Sequence, residues 1–142
     1  MLHRVTSRDA RPTYVRRIFQ GNGIFCVLGG VILLVGSIPI AAVFRWQAPI
    51  ALSIAGVMLA AYGVRVFVTA LRVPLDLTAA WIYTLLDACW VAGSAVVLVA
   101  GRRPLTVAAT CTIALVALVV ACFAAMQLVA LLRLRPLEQA NG

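Results

Sequence analysis

The chain has no lysine, a single histidine (His3) and only four acidic residues. Without lysine, a retinal-type Schiff base is excluded. One histidine in an N-terminal tail argues against bis-histidine haem and histidine-ligated chlorophyll. No Cys, His and carboxylate set has metal-ligand spacing, and neither a Gly-rich phosphate loop nor a nucleophilic triad is present. The sequence therefore names no cofactor, no metal ligand and no catalytic residue. Cys26, Cys89, Cys111 and Cys122 all fall in apolar runs without a C-x-x-C pair. They read as small packing residues, and a quinone-linked disulfide enzyme would need paired thiols near a membrane surface. Polar surface is scarce too: 64% of the 142 residues are hydrophobic, 11% are charged and mean hydropathy is +1.07. A water-soluble domain of this size cannot cover itself with so few polar groups.

What is present is long apolar runs. Ile24–Phe44 carries no charge over 21 residues, Ala48–Leu71 carries only Arg65 and Leu77–Ala100 only Asp87; Leu105–Leu132 carries none over 28. A hydrocarbon core about 30 Å thick needs about 20 helical residues, so each run is long enough to cross. The short alternating segments of a β-barrel are missing. The fold class is an all-α polytopic membrane protein, an up-down-up-down bundle of four transmembrane helices. Residues 1–17 read as a basic cytoplasmic tail, 18–135 as the transmembrane domain and 136–142 as a short cytoplasmic tail. The first run exceeds the roughly 7–15 residues of a signal-peptide core, so it is expected to stay as an uncleaved helix.

All twelve basic residues are arginines, and formal net charge is +8. No nucleic-acid motif accompanies them, so they read as an orientation signal. Arg4, Arg8, Arg11, Arg16, Arg17, Arg65, Arg72, Arg133 and Arg135 lie on the side of the termini and central loop. Only Arg45, Arg102 and Arg103 lie on the other. The positive-inside rule then puts both termini in the cytoplasm. The tail "RPTYVRRIF" is also expected to rest on anionic lipid, each Arg near the surface contributing about 1 kcal/mol.

The connections are short: "RWQ", "RVPLD" and "GRRP". Asp76 or Thr78 can cap the third helix, and Pro39 cannot donate to the Val35 carbonyl, so it should bend the first run. Tyr14, Trp46 and Trp81 fall near the expected interfaces, as aromatic belts do. Small residues form stripes at Ser53, Gly56, Ala60 and Gly63, and at Ala117, Ala121 and Ala125. These suit close helix packing inside the chain, or contact with a membrane-protein partner or second copy. A shift of 65 residues places Asn22 on Asp87, Phe25 on Trp90, Met58 on Phe123 and Tyr62 on Gln127. That is the pattern of a parallel repeat about an axis along the membrane normal.

Asp87 is the one acid inside a run. Arg65 and Asp87 each lie eleven residues from Asp76 at the central turn, so both are expected about 16 Å along their helices from it. Asn22 and Gln127 belong to the same half of the membrane, with Tyr62 and Tyr83 near enough to join. Tyr83, Asp87, Trp90 and Ser94 follow helical spacing and read as one inward stripe. The candidate intramembrane polar cluster is therefore Asn22, Tyr62, Arg65, Tyr83, Asp87, Trp90 and Gln127. Paired with Arg65, Asp87 is a charged clasp that fixes helix register. With Arg65 turned to the surface, it is an acid able to exchange protons.

The Asn22/Phe25 and Asp87/Trp90 pairs, over residues 18–135, resemble those of small bacterial four-helix inner-membrane proteins of unassigned activity. The chain is also similar to small multidrug-resistance transporters in size and in having a membrane carboxylate beside aromatics. Those carry their essential acid in the first helix, where this chain has Asn22. Two functions are expected from different classes. One is a non-enzymatic accessory, assembly or scaffold subunit of the bacterial cytoplasmic membrane. The other is a small homo-oligomeric transporter, or proton or solute carrier, using the Asp87 region.

Overall fold

The computed structural model describes residues 7–100 and 105–139, with side-chain surroundings for 13–99 and 105–133. The "GRRP" loop with Arg102, Arg103 and Pro104, the first six residues with His3 and Arg4, and residues 140–142 lie outside the described residues. Five helices follow in order: α1 (Ser7–Val35), α2 (Ser37–Phe44), α3 (Pro49–Leu71), α4 (Leu77–Ala100) and α5 (Val107–Gln139). No strand occurs among the described residues. Four segments are long and apolar enough to cross a membrane: Thr13–Val35, Pro49–Leu71, Leu77–Val99 and Val107–Arg133. The all-α bundle of four spanning helices is thus the architecture.

The first span differs from the expected Ile24–Phe44. Its helix begins at Ser7, within the basic tail, and the membrane-length segment starts at Thr13. Val15, Ile18 and Phe19 are buried in the core although arginines stand between and before them. A charge-free window misses this turn because only one face of it is apolar. The helix then breaks at Gly36, and the run ends as the separate α2. Pro39 falls in the first turn of α2, where its missing N–H is not needed. The interruption thus falls at Gly36, three residues before Pro39 and next to the Val35 carbonyl that Pro39 cannot serve. Arg45 closes α2 in the left-handed region at φ 53°, with Arg45 N donating to Ala42 O and Trp46 N to Ala41 O.

The other ends follow their sequence signals. Asp76 Oδ1 accepts from Ala79 N at 3.0 Å and starts α4, and Thr106 Oγ1 accepts from Ala109 N at 3.2 Å and starts α5. Pro49 occupies the first turn of α3.

Helix pairing is uneven. The α1 helix packs along α3, and α4 packs along α5. The α1 helix also touches α5, while α2 rests on α3 and α5. Although joined by a short loop, α3 and α4 meet far less than α1 and α3 or α4 and α5 do. The α1–α3 seam is set by four glycines in two facing pairs. A Cβ on Gly23 would lie 2.8 Å from the Gly63 carbonyl oxygen, and one on Gly63 would lie 2.6 Å from the Gly23 oxygen. A Cβ on Gly30 would lie 2.5 Å from the Gly56 oxygen, and one on Gly56 would lie 2.6 Å from the Gly30 oxygen. The two backbones are therefore in direct contact at both levels. The expected stripe on α3 is thus used inside the chain, against α1. Its α5 counterpart is not enclosed: Ala117 and Ala121 are half-buried and Ala125 is exposed.

The core sits toward the α3–α4 loop and draws on all four spans: Val15, Ile18 and Phe19; Val66 and Ala70; Ala80; Ala130 and Leu131. At that rim the Arg16 guanidinium donates to the Arg72 carbonyl at 2.9 Å, tying α1 to the end of α3.

Glycine replacement separates the seam from the open faces. Gly56→Ala or Gly63→Ala should lower stability in mild detergent by about 1–3 kcal/mol, the usual range for overpacking. Gly93, whose added Cβ would meet nothing within 4 Å, should accept alanine with no loss or a gain of up to about 1 kcal/mol. Equal sensitivity at Gly63 and Gly93 in a thermal or denaturant melt would contradict the packing.

Candidate functional site

One turn beyond the core, each spanning helix contributes one polar side chain to a single layer. Asn22 comes from α1, Tyr62 from α3, Asp87 from α4 and Gln127 from α5. Asn22 and Gln127 are fully enclosed and Asp87 is 4% exposed. Local periodicity explains the aim of each. On α4 the buried residues Ala80, Thr84 and Asp87 lie at spacings of four and three, which define its inward stripe. On α3 Tyr62, Val66, Thr69 and Ala70 share the same relation, as do Val15, Phe19, Asn22 and Cys26 on α1.

The carboxyl group of Asp87 is the hub. Its Oδ2 accepts from Asn22 Nδ2 at 2.7 Å and from Gln127 Nε2 at 3.1 Å. Its Oδ1 accepts from the Tyr62 hydroxyl at 2.9 Å. A second ring of groups supports these donors. Gln127 Oε1 accepts from the Thr84 hydroxyl at 3.0 Å, which also lies 3.0 Å from the Ala80 carbonyl. Asn22 Oδ1 has the Cys26 thiol at 3.7 Å. The Tyr62 hydroxyl also lies 3.3 Å from the Tyr83 main-chain oxygen. Tyr62 and Tyr83 meet edge to face at 5.7 Å, and the Tyr83 hydroxyl lies 3.3 Å from Thr69 Oγ1. The Phe25 and Phe123 rings, 5.9 Å apart, pack one turn away.

Of the expected cluster, Asn22, Tyr62, Asp87 and Gln127 come together and Tyr83 borders them. Arg65 does not join. It is exposed on α3 and forms no ion pair with Asp87. Arg65 is about 60° round the helix from Tyr62, and Tyr62 has the inward position. Trp90 is 54% exposed, and Ser94 binds its own helix through the Trp90 carbonyl. The inward stripe of α4 is therefore Ala80, Thr84 and Asp87, with Tyr83 at its edge. Thr84 and Cys26 were missed by sequence reading. Their signal was helical spacing, three residues before Asp87 and four after Asn22.

The 65-residue shift has structural content. Asn22 and Asp87, 65 positions apart, bond each other, and the same shift carries Tyr62 onto Gln127, the other two donors to Asp87. It also pairs buried Val15 with Ala80, Phe19 with Thr84, and Val66 with Leu131. The glycine seam is not repeated: Gly23, Gly30, Gly56 and Gly63 map to Ala88, Ala95, Ala121 and Leu128.

An aspartate at the middle of a spanning helix costs about 2.5–3.5 kcal/mol to insert. Three interhelical polar contacts at about 0.6 kcal/mol each offset most of that. The layer thus fixes which helix faces turn inward more than it adds net stability. Among the described residues no three His, Cys, Asp or Glu side chains gather, and all four cysteines are free thiols. No family model, curated protein or solved structure matches this chain.

Because Asn22 and Gln127 serve the same oxygen, their substitutions should couple. Asn22→Ala and Gln127→Ala should each cost about 0.5–2 kcal/mol in detergent unfolding, and the double variant should depart from their sum. Arg65→Ala combined with Asp87→Ala should instead add to within about 0.5 kcal/mol. Coupling of Arg65 to Asp87 would restore the ion pair.

Proposed function

We propose that this chain is a non-enzymatic integral subunit of a bacterial cytoplasmic membrane, acting in accessory, assembly or scaffold work. The observation that carries this reading is the closure of the polar layer. The acid on α4 takes donors from all three other spans and has 4% of its surface open. The intramembrane polarity is thereby committed to holding four helices in register. What remains outward is mostly apolar helix surface, with Ile54, Leu85, Val96, Leu115 and Leu118 all exposed. Such surface suits lipid and neighbouring membrane helices. The arginine asymmetry favours cytoplasmic termini. The neighbouring arginines Arg16 and Arg17 at that rim favour a phosphate-bearing anionic lipid.

A second reading has one specific observation in its favour. Asp87 is held by neutral donors rather than by an arginine, which suits a proton or small-solute carrier better than a permanent ion pair does.

The two readings part in one set of measurements. Isolation from native membranes in mild detergent should recover a stoichiometric membrane-protein partner together with anionic phospholipid. Repeated recovery of this chain alone, with flux in proteoliposomes that Asp87→Asn abolishes, would replace the scaffold with the carrier. Reporter fusions should place Gly142 on the cytoplasmic side and the Arg102–Arg103 loop on the opposite side. The reverse pattern would overturn the orientation.

A further inference from the structure

We propose that Asp87 is a reversible proton-binding site within the assembled bundle, served by a Tyr62 hydroxyl that turns between two acceptors. This goes beyond the scaffold reading and does not depend on it, because it concerns the chemistry of the layer and not its partners.

The two carboxyl oxygens have different neighbours. Oδ2 faces the amide nitrogens of Asn22 and Gln127, at 2.7 Å and 3.1 Å. An amide NH2 only donates, so a proton on Oδ2 would point at donors. Oδ1 faces the Tyr62 hydroxyl at 2.9 Å, a group that both donates and accepts. That oxygen is therefore the one able to carry the proton.

Tyr62 has an acceptor for each state. With Asp87 ionised, the phenolic hydrogen points to Oδ1. When a proton from water forms an O–H bond at Oδ1, that new bond donates to the Tyr62 oxygen. The phenolic hydrogen then turns to the Tyr83 main-chain oxygen, 3.3 Å away. Loss of the proton to water reverses both rotations. No covalent bond changes other than the one O–H bond at Asp87, and each of the three groups that bond its carboxyl keeps an acceptor before and after.

The surroundings permit the change of charge. The groups facing Asp87 are Asn22 and Cys26 on α1, Tyr62 on α3, Gln127 on α5, and Tyr83 and Thr84 on α4. None is a basic side chain, and Arg65 is exposed. The thiol of Cys26 approaches Asn22 Oδ1, on the far side of that amide from the carboxyl. Asparagine at position 87 reproduces the proton-bound pattern. Its oxygen would accept from Asn22 and Gln127, and its NH2 would donate to Tyr62. Asp87→Asn is accordingly expected to fold.

Infrared titration of the full-length protein in lipid bilayers tests this. The chain has three aspartates, Asp9, Asp76 and Asp87. Asp9→Asn with Asp76→Asn leaves Asp87 alone, and asparagine keeps the α4 cap. With isotope-labelled aspartate, a protonated-carboxyl band should grow as pH falls, carry the isotope shift and vanish in Asp87→Asn. Tyr62→Phe should raise its frequency and change proton affinity about tenfold, as loss of one charge-assisted hydrogen bond implies. A labelled carboxyl signal that stays constant from acid to alkaline buffer would overturn the proton site. A titrating band indifferent to Tyr62→Phe would overturn the hydroxyl switch. Should Asp87→Asn not fold, the isotope shift in the single-aspartate chain still assigns the band, and its failure to titrate still decides against the proposal.

Discussion

A carboxyl group surrounded by hydrocarbon has no water to turn to, so its hydrogen-bond donors must come from the protein. That constraint organises this bundle. Asp87 cannot be served from its own helix, whose main-chain N–H groups are committed to the helical ladder. Its donors therefore have to arrive from other spans, and one does from each: Asn22, Tyr62 and Gln127. Once these three meet one carboxyl, the rotation of every helix about its axis is fixed. The apolar core of Val15, Phe19, Val66, Ala80 and Leu131 then follows one to two turns away on the same inward stripes. Apolar side chains alone would specify this weakly, since lipid is as apolar as leucine.

Two kinds of constraint share the work. The glycine pairs Gly23/Gly63 and Gly30/Gly56 bring the α1 and α3 backbones into contact and make the first hairpin a tight unit. The second hairpin has alanines or leucine at the corresponding positions and has no such seam. In the polar layer, by contrast, a single 65-residue shift in sequence relates Asn22 to Asp87 and Tyr62 to Gln127. Seam and layer together set a unique arrangement, because the facing glycines lie only on α1 and α3 and the acid only on α4.

The spans were legible because hydropathy over about 20 residues reports directly on the solvent. The start of the first was not, because Arg16 and Arg17 interrupt the run while Val15, Ile18 and Phe19 still face the core. The layer was legible as a depth: Arg65 and Asp87 lie equally far from the central turn, Asn22 and Gln127 fall in the same half of the membrane, and Tyr62 is near enough to join them. Its azimuth was not. Arg65 and Trp90 have the right depth or spacing but the wrong side of their helices, and electrostatic complementarity favoured Arg65 over Tyr62 in the absence of any angular information. Helix rotation is set by tertiary contacts such as the glycine seam, whose partner helix a one-dimensional stripe does not name. The repeat was the most informative weak signal, since its matched positions contain the four residues of the layer.

The two donor positions related by the 65-residue shift differ in a way that bears on the chemistry of the layer. At the two related donor positions the chain has a glutamine on α5 and a tyrosine on α3. The glutamine NH2 donates only, so it confines Oδ2 to accepting. A hydroxyl has one hydrogen that rotates and an oxygen that accepts, and here it has a second acceptor within reach at the Tyr83 carbonyl. Were both positions amides, both carboxyl oxygens would face donors and a protonated acid would leave its hydrogen against one. Were an arginine present, the charge would be held and the acid fixed in one state. A tyrosine opposite an amide admits both states of the carboxyl with the heavy atoms unmoved. The layer can then keep the same helix register whether Asp87 is charged or neutral, which a clasp built on an ion pair cannot do.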